Sequence, residues 1–340
     1  MTTTRYFLVV AHTGREESLE SAVAVCRQLT EAGTVPVLSR DEHAEMIAVA
    51  PDLERMRVLG RDVEVDDLEL TIVLGGDGTI LRAAELTRGG AAPLLGVNMG
   101  HVGFLAESER NELTATVSRA LARDYEVEER MTLKVEVEAD GAVVYETWAL
   151  NEATVEKRSR ERMLEVAIEV DARPLSTFGC DGVVMSTPTG STAYAFSGGG
   201  PVVWPNIDAM LLVPLSAHAL FARPLVVAPE SVLAIEVLAR SENGGVLWCD
   251  GRRARDLESG ARVTATRSEV PVRLARLDPA PFTDRLVRKF QLPVHGWRGP
   301  AREHVAPGER SGASAEQRAT EQRATEQRAA ERGAERGSGA

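Results

Sequence analysis

The chain has 340 residues, 44% of them hydrophobic and 26% charged, which is typical of a globular protein and long enough for two ordinary domains. Its formal net charge of −12 argues against a nucleic-acid partner, which needs a basic face, but allows a small anionic ligand held by backbone amides. No apolar run approaches the roughly 18 residues of a membrane span, so we expect no membrane partner. The three cysteines form no C-x-x-C pair, which indicates buried thiols in a reducing, cytoplasmic compartment.

The first third of the chain alternates apolar runs with amphipathic segments. Strands are predicted at residues 6–11, 35–38, 68–74 and 93–97. Helices are predicted at residues 17–30, 43–58 and 80–87, the second of them interrupted at Pro51. Because strands and helices alternate, we expect residues 1–128 to form a Rossmann-like α/β domain, with a mainly parallel sheet covered by helices on both faces.

From about residue 130 the apolar period changes from helical spacing to the alternation of strands. Strands are predicted at residues 133–137, 143–150, 164–170, 232–238, 246–250, 263–266 and 270–277. The dipeptides Asp140-Gly141 and Asn243-Gly244 are hairpin turn signals between them. We therefore expect a β-rich, sandwich-like domain over residues 129–275. Residues 276–300 contain an amphipathic stretch that is expected to pack back on the first domain.

Residues 301–340 differ in composition from the rest of the chain. An ATEQR-like unit recurs there every five residues, a period that gives no constant helical face. Seven arginines and seven glutamates balance each other, and nearly all of the apolar residues are alanines. This composition predicts a disordered, low-complexity tail.

A GGDGT motif at residues 75–79 follows a predicted strand and precedes a predicted helix. Glycines let a phosphate chain approach backbone N–H groups, and the start of a helix adds positive potential. In open α/β sheets, ligands bind at the carboxyl ends of the strands. The predicted phosphate-binding residues are Gly75, Gly76, Gly78, Thr79 and Arg82. The alternative interpretation is a tight strand-to-helix turn with a solvated Asp77.

Two further polar groups follow predicted strands or precede them. Asn151 and Glu152 together offer donors and acceptors that can bind ribose hydroxyls and an adenine edge, although a surface turn is the alternative. Asp181 can accept a hydrogen bond from a ligand amide, and Gly182 beside it permits close approach of a ligand, although a hairpin turn is the alternative.

No Walker loop and no G-x-G-x-x-G fingerprint occurs in the sequence, so a hydride-transferring dehydrogenase is disfavoured.

The segment STPTGSTAYAFS, residues 186–197, is too polar for a core strand and carries the glycine and proline of a turn. Ser191 or Thr192 is predicted to cap a helix that starts near Ala193. The start of that helix can hold a phosphate, and Tyr194 can stack on a ribose or base. A plain capped helix without a ligand is the alternative.

Four segments together resemble one known family. The GGDGT motif is similar to that of NAD kinases, phosphofructokinases and the diacylglycerol and sphingosine lipid kinases. The motif alone does not distinguish these families. The segment LGVNMGHVGFLAE at residues 95–107, the Asn151-Glu152 pair and CDGVVMSTPTGSTAYAFSGGGP at residues 180–201 occur in the order and at the spacing of bacterial NAD kinases. The resemblance extends from about Tyr6 to Phe290.

The resemblance implies transfer of a phosphoryl group from ATP or polyphosphate to the 2′-hydroxyl of the adenosine ribose of NAD, which makes NADP. It implies a divalent metal cofactor, Mg²⁺, and a homodimer or homotetramer in which a neighbouring subunit contributes to the NAD site. Asp77 would be the catalytic residue. The NAD-binding residues that it implies are Asp77, Gly78, Asn151, Glu152, Arg162, Asp181, Thr192, Ala193, Tyr194, Ala195, Phe196 and Ser197.

Two other functions are compatible with parts of this pattern. A lipid kinase of the diacylglycerol kinase type would explain the GGDGT motif, but it would leave the Asn151-Glu152 pair unexplained. A dinucleotide sensor without turnover would explain the binding residues, but it would not need a carboxylate at Asp77. Arg252 stands where the resembling family often has glutamine, so we assign no ligand contact there.

We predict that a chain ending at residue 300 folds and keeps the activity of the full chain, because no motif and no amphipathic pattern lies beyond that point. Thermal unfolding and steady-state turnover of the two chains, measured side by side, test this prediction. A large drop in melting temperature or in turnover on truncation would show that the tail has a structural or catalytic role.

Overall fold

The structure is a computed structural model that describes residues 4–11, 16–53, 55–100, 103–159, 162–241, 243–278 and 281–294. The predicted tail over residues 301–340 lies outside these ranges, as does the end of the predicted segment 276–300. Up to Leu292 the described chain belongs to one unit. None of the described helices is both long and apolar enough to cross a bilayer.

The described residues alternate helices and strands first and then form strands almost without interruption. The helices are α1 (Glu16–Glu31), α2 (Arg40–Val49), α3 (Asp77–Leu86), α4 (Leu113–Leu121), α5 (Tyr194–Ser197) and α6 (Phe282–Phe290). The strands are β1 (Tyr6–Ala11), β2 (Val35–Leu38), β3 (Arg57–Val58), β4 (Leu68–Leu74), β5 (Leu94–Asn98), β6 (Ser108–Glu109), β7 (Glu126–Arg130), β8 (Leu133–Ala139), β9 (Ala142–Ala149), β10 (Glu152–Lys157), β11 (Leu164–Val170), β12 (Arg173–Cys180), β13 (Gly182–Ser186), β14 (Met210–Leu215), β15 (Leu225–Val227), β16 (Leu233–Val237), β17 (Gly245–Cys249), β18 (Arg253–Leu257), β19 (Arg262–Arg267) and β20 (Val272–Arg276).

The first sheet has the strand order β3-β2-β1-β4-β5-β20-β7, with β6 beside β5. All of its pairings are parallel except that of β20 with β7. Alternate side chains of β1 enter different cores: Phe7 packs with α1 residues such as Val25, and Leu8 packs with α3 residues such as Ile80. The sheet is therefore covered on both faces, as the alternating strand and helix pattern predicted.

The β-rich half forms two six-stranded antiparallel sheets, with the orders β15-β14-β13-β10-β17-β18 and β12-β11-β16-β19-β8-β9. One buried core joins them, because it contains Val135 and Val166 from one sheet and Val155 and Val183 from the other. Residues on the inner faces alternate with outward-facing residues, as in a β-sandwich. The predicted sandwich is confirmed.

Three predicted elements differ from the structure. The helix predicted over residues 43–58 is α2, which ends at Val49, because the residue before Pro51 is disfavoured in helical conformation. The helix predicted to start at residue 80 starts at Asp77, inside the glycine motif. The strand predicted at 270–277 is β20, which pairs with β5 and β7 in the first sheet and not with the β-rich sheets.

Helix α6 packs against residues from both halves of the chain. The ring of Phe290 lies 5.8 Å from that of Phe104 and 4.7 Å from that of Phe196. Arg285 donates a hydrogen bond to the carbonyl oxygen of Phe104 and forms an ion pair with the buried Glu107. The amphipathic stretch thus contacts the segment that follows β5 as well as α5.

Candidate functional site

The phosphate loop, residues 75–79, joins the carboxyl end of β4 to the start of α3. Gly75 is buried, and a Cβ atom placed on it would lie 2.3 Å from the hydroxyl oxygen of Thr79, so no larger residue fits without movement. Gly76 is the N-cap of α3, and Gly78 lies exposed in its first turn. The first N–H groups of a helix have no partner within it, so this loop offers donors to an anion.

The carboxylate of Asp77 is fixed by the backbone of the segment that follows β5. Its two oxygens accept hydrogen bonds from the N–H of Phe104 at 3.2 and 3.1 Å, and Oδ1 also accepts from the N–H of Leu105 at 3.1 Å. A Cβ atom on Gly103 would lie 2.4 Å from the same Oδ1, so glycine is required for this approach. Asp77 is therefore half-buried and held in one orientation, so the alternative of a solvated Asp77 is wrong.

Arg82 contacts groups at the carboxyl end of β1, next to the strand that leads into the phosphate loop. Its guanidinium donates to the carbonyl oxygen of Ala11 at 3.3 Å and forms an ion pair with Glu42 at 3.2 Å. Glu42 is buried, and it also accepts hydrogen bonds from the N–H of Ala11 and from the hydroxyl of Ser39. The phosphate contact of Arg82 stays a prediction.

The Asn151-Glu152 pair is buried and is positioned by a carboxylate from another strand end. Asp250 accepts hydrogen bonds from the N–H groups of Leu150 at 3.0 Å, Asn151 at 2.7 Å and Glu152 at 3.4 Å. Asp250 has a φ of 53° in the turn between β17 and β18, and Arg253 from the same turn pairs with its carboxylate at 2.7 Å. The surface-turn alternative for this pair is therefore wrong.

Glu152 has an unusual protonation equilibrium for a carboxyl group. Burial, and then the nearby charge of Asp250, raise its pKa from 4.5 to about 8, although the N–H of Tyr194 donates to it at 3.3 Å. Burial raises the pKa of Asp250 as well. At neutral pH Glu152 therefore holds a proton that it can donate to a ligand oxygen or nitrogen.

The segment from residue 189 to 197 lies over the outer face of the sheet that contains β13. It forms a 3₁₀ turn at Thr189–Thr192 and then the single-turn helix α5, whose N-cap is Ala193. The predicted cap by Ser191 or Thr192 is wrong, because the Ser191 hydroxyl bonds instead to the backbone of Pro188 and Val203. The helix has only four residues, so it offers little of the predicted positive potential.

The side chains of this segment divide between packing and exposure. Ala195 of α5 packs against residues of β13 and β14. Tyr194 and Phe196 of the same helix are 38% and 41% exposed. Gly190 lies so close to the chain at Asn151 that a Cβ atom on it would be 2.1 Å from the Asn151 carbonyl oxygen. The predicted NAD-binding residues of this segment thus adjoin the Asn151-Glu152 pair.

Asp181 and Arg162 lie towards the end of β13 that is remote from Glu152, but Asp181 is within electrostatic reach of Tyr194. Burial, and then the charges of Glu156, Asp181 and Glu152, raise the pKa of the Tyr194 hydroxyl. Asp181 precedes β13, whose other end, Ser186, pairs with Glu152, so about 17 Å of backbone separates Asp181 from the residue that pairs with Glu152. Asp181 forms an ion pair with Lys157, which holds its pKa below the ordinary range. Arg162 is exposed near the same strand ends and shares a small cavity with Lys157.

A backbone hydrogen bond and two aromatic ring contacts connect Asp77 to α5. Asp77 bonds to the N–H of Phe104, the Phe104 ring contacts Phe290, and Phe290 contacts Phe196 of α5. Sequence patterns did not reveal the roles of the Phe104 and Leu105 amides, of Phe290 or of Asp250. The one available signal was the Asp250-Gly251 dipeptide at a strand end, which fits a ligand pocket as well as a turn.

We predict that Glu152→Gln changes how stability depends on pH in the nucleotide-free protein. Because the folded state binds the Glu152 proton more tightly than the unfolded state, this group makes the free energy of unfolding decrease as pH rises from about 4.5 to about 8. In the variant, residue 152 does not titrate, so this decrease in the free energy of unfolding is absent. The amide oxygen of the variant can still accept the hydrogen bond from the N–H of Tyr194. The difference in melting temperature, variant minus wild type, should therefore increase between pH 5 and pH 8, and a constant difference would contradict the burial argument.

Two family matches and close relatives cover most of the chain. The family described as ATP-NAD kinase N-terminal domain matches residues 7–125, and that described as ATP-NAD kinase C-terminal domain matches residues 150–277. The NAD kinase of Leifsonia xyli subsp. xyli is 68% identical over 300 residues, which cover 88% of this chain and 99% of the relative. The NAD kinase of Thermobifida fusca is 58% identical over 308 residues, which cover 89% of this chain and 94% of the relative.

Two solved structures share the fold. Yeast NADH kinase complexed with NADH superposes with a TM-score of 0.75 at 21% identity, covering 89% of this chain and 91% of that chain. An NAD kinase from Archaeoglobus fulgidus in complex with ATP superposes with a TM-score of 0.63 at 24% identity, covering 85% of this chain and 99% of that chain. These likenesses confirm the predicted fold class, and the family matches and relatives give the conclusion that the chain belongs to the NAD kinase family of phosphotransferases.

Proposed function

We propose that this protein transfers the terminal phosphoryl group of ATP, or of inorganic polyphosphate, to the 2′-hydroxyl of the adenosine ribose of NAD. In this reaction the bond between the terminal phosphorus and its bridging oxygen breaks, a bond from that phosphorus to the ribose oxygen forms, and the hydroxyl proton leaves. The observation that supports the proposal best is the fixed carboxylate of Asp77 at the start of α3, beside N–H groups suited to phosphates.

Asp77 is the residue to which we assign the catalytic role. Among the residues of the phosphate loop it alone has a carboxylate, and backbone hydrogen bonds from Phe104 and Leu105 orient it before substrate arrives. Such a carboxylate can accept the hydrogen bond of the 2′-hydroxyl and take its proton as the new bond forms. Phosphoryl transfer needs mainly positioning and charge stabilisation from the protein, which a preoriented group supplies.

The Asn151-Glu152 pair and α5 are proposed to hold the adenosine half of NAD. The Asn151 side chain offers both a donor and an acceptor, and a protonated Glu152 offers a donor as well. The exposed rings of Tyr194 and Phe196 lie next to these groups and can stack on a base or cover a ribose. Phe290 contacts Phe104, whose N–H bonds to Asp77, and also Phe196 of α5, which begins with the residue that bonds to Glu152, so NAD would bind between the two halves of the chain.

The residues present fit an Mg²⁺ ion that is shared with the substrates. No group of three His, Cys, Asp or Glu side chains with metal-ligand geometry occurs in the described residues. Mg²⁺ does not need such a group, because it is commonly bound by one or two carboxylates together with substrate phosphates and water. Asp77 is the carboxylate that would hold it here, and the ion would neutralise negative charge on the transferring phosphoryl group.

The donor is proposed to bind through its phosphates at the phosphate loop. Backbone N–H groups recognise phosphate oxygens without reading a base, so the loop is compatible with both ATP and polyphosphate. Initial rates with each donor, at saturating NAD, compare ATP and polyphosphate directly.

The protein would act in the cytoplasm, where both NAD and ATP are available.

We predict that Asp77→Asn folds like the wild type and loses turnover by about 10²–10⁴-fold, the span expected for a positioned acid–base group. The asparagine oxygen can replace Oδ1 and accept from both Phe104 and Leu105, so the loop should stay intact. The KM for NAD should change little, because the lost interaction belongs to the transition state. The turnover number and the thermal midpoint are measured on one preparation, with NAD and ATP as substrates.

The matched control is Asp66→Asn, which removes an exposed carboxylate shortly before β4 and should leave turnover unchanged. A stable Asp77→Asn protein with nearly full turnover would contradict the catalytic assignment. A wild-type protein that binds NAD but forms no NADP with either donor would indicate a dinucleotide sensor instead.

We also propose that the protein is a homo-oligomer in which Asp181 contacts NAD bound to a neighbouring subunit. The resemblance assigns Asp181 and Glu152 to one NAD molecule, yet Asp181 precedes β13 and Glu152, on β10, pairs with the far end of that strand. Asp181 is 44% exposed, so it is accessible to a second copy of the chain. A partner chain that brings its own Asp181 towards Glu152 satisfies both assignments.

Mixing two inactive variants tests this proposal. Asp77→Asn and Asp181→Ala are unfolded together and refolded as mixed oligomers. If Asp181 acts across the subunit boundary, roughly a quarter of the sites in a random mixture of dimers combine an intact Asp77 with an intact Asp181. Turnover should therefore return to about that fraction of the wild-type value. Mixed oligomers without recovered activity would place Asp181 in its own subunit's site.

A further inference from the structure

A cavity of about 300 Å³ lies beside α6, and none of its lining residues belongs to the site described above. We call it the arginine pocket. It is lined by Arg130 from β7, Arg276 from β20, Arg285 from α6, Glu128, Trp204 and Phe282. Trp204 and Phe282 form an edge-on ring pair with centroids 5.3 Å apart, and the Trp204 side chain is 42% exposed at the rim.

The charges around the arginine pocket do not balance. Three guanidinium groups share two carboxylates, because Arg276 pairs with both Glu107 and Glu128, Arg130 pairs with Glu128, and Arg285 pairs with Glu107. One positive charge is left in excess in a place where water is largely excluded. Uncompensated charge in such a place is costly unless a counter-charge binds.

The guanidinium groups that carry the excess charge are largely buried. Side-chain exposure is 6% for Arg130 and 9% for Arg276, so only a small part of each guanidinium faces the cavity. Burial and the neighbouring Arg276 and Arg285 lower the pKa of Arg130 to about 10. Three guanidinium groups that line one cavity with one positive charge in excess are suited to the oxygens of a phosphate group.

We propose that the arginine pocket binds a phosphate group, either as free phosphate or as the phosphate of a small aromatic ester whose ring contacts Trp204 and Phe282. The cavity is larger than a phosphate ion needs, and the two rings offer an apolar surface to the rest of a ligand. The site is linked to the candidate active site, because Arg285 also donates to the carbonyl oxygen of Phe104, whose N–H bonds to Asp77. Phe104 is therefore the one residue between an arginine of this pocket and the hydrogen bonds of Asp77.

Substitutions at Thr283 test the site without altering the arginines. Thr283 is exposed in the first turn of α6 and lines the arginine pocket. Thr283→Glu adds a carboxylate that competes with phosphate, at a helix start where a negative charge is tolerated or favourable. Thr283→Gln adds a side chain of nearly the same size without the charge, so it is the matched control.

Calorimetric titration of the full chain with phenyl phosphate and with inorganic phosphate measures binding. We expect both wild type and Thr283→Gln to bind, and Thr283→Glu to bind at least about tenfold more weakly, with a thermal midpoint no lower than that of the wild type because its carboxylate offsets the excess charge. The phosphate loop can also bind these anions, so the arginine pocket is identified as the binding that Thr283→Glu weakens and Thr283→Gln keeps. At that site, tighter binding of phenyl phosphate than of phosphate identifies an aromatic ester as the ligand class, and equal affinities identify free phosphate. Absence of binding to the wild type, or equal affinities of the two Thr283 variants, would overturn the proposal. Because no turnover is measured, failure of the proposed enzymatic function would not affect this result.

Discussion

The hydrogen bonds from the Phe104 and Leu105 amides to the Asp77 carboxylate fix the candidate active site, because they tie the phosphate loop to the segment after β5. That segment is in turn held by α6, through Arg285 at the Phe104 carbonyl and through the Phe290 ring. The orientation of one carboxylate therefore depends on residues far along the chain. Preorientation of this kind lowers the reorganisation that the reaction requires.

Helix α3 also connects the two halves of the site at its other end. Glu85, near its last turn, pairs with Arg252 and Arg253 of the turn between β17 and β18. Arg253 pairs with Asp250, whose carboxylate holds the N–H groups of the Asn151-Glu152 pair. The helix thus begins at the proposed catalytic carboxylate and ends at the turn that positions the proposed adenosine-binding residues. Arg252 has a structural contact here, which accounts for its presence without a ligand.

The sequence predicted elements well where the signal was local and poorly where partners lie far apart in the chain. Continuous apolar runs bounded by polar residues gave β1, β2 and β4 with their observed bounds. Alternation predicted β20 as a strand but could not choose its sheet, because pairing with β5 and β7 is non-local. The motif residues of the site were found through resemblance, whereas the contacts that orient them, about 30 or 100 residues away, carry no local signal.

We propose above that Asp77 acts directly on the 2′-hydroxyl of the adenosine ribose. A crystal structure of the wild-type protein with NAD bound, in the absence of a phosphoryl donor, measures the distance on which this role depends. We expect an Asp77 carboxylate oxygen within about 2.6–3.2 Å of the ribose 2′-oxygen, or joined to it by one water molecule. A ribose bound with its 2′-hydroxyl turned away from Asp77, or NAD bound outside the space between the phosphate loop and the Asn151-Glu152 pair, would contradict it.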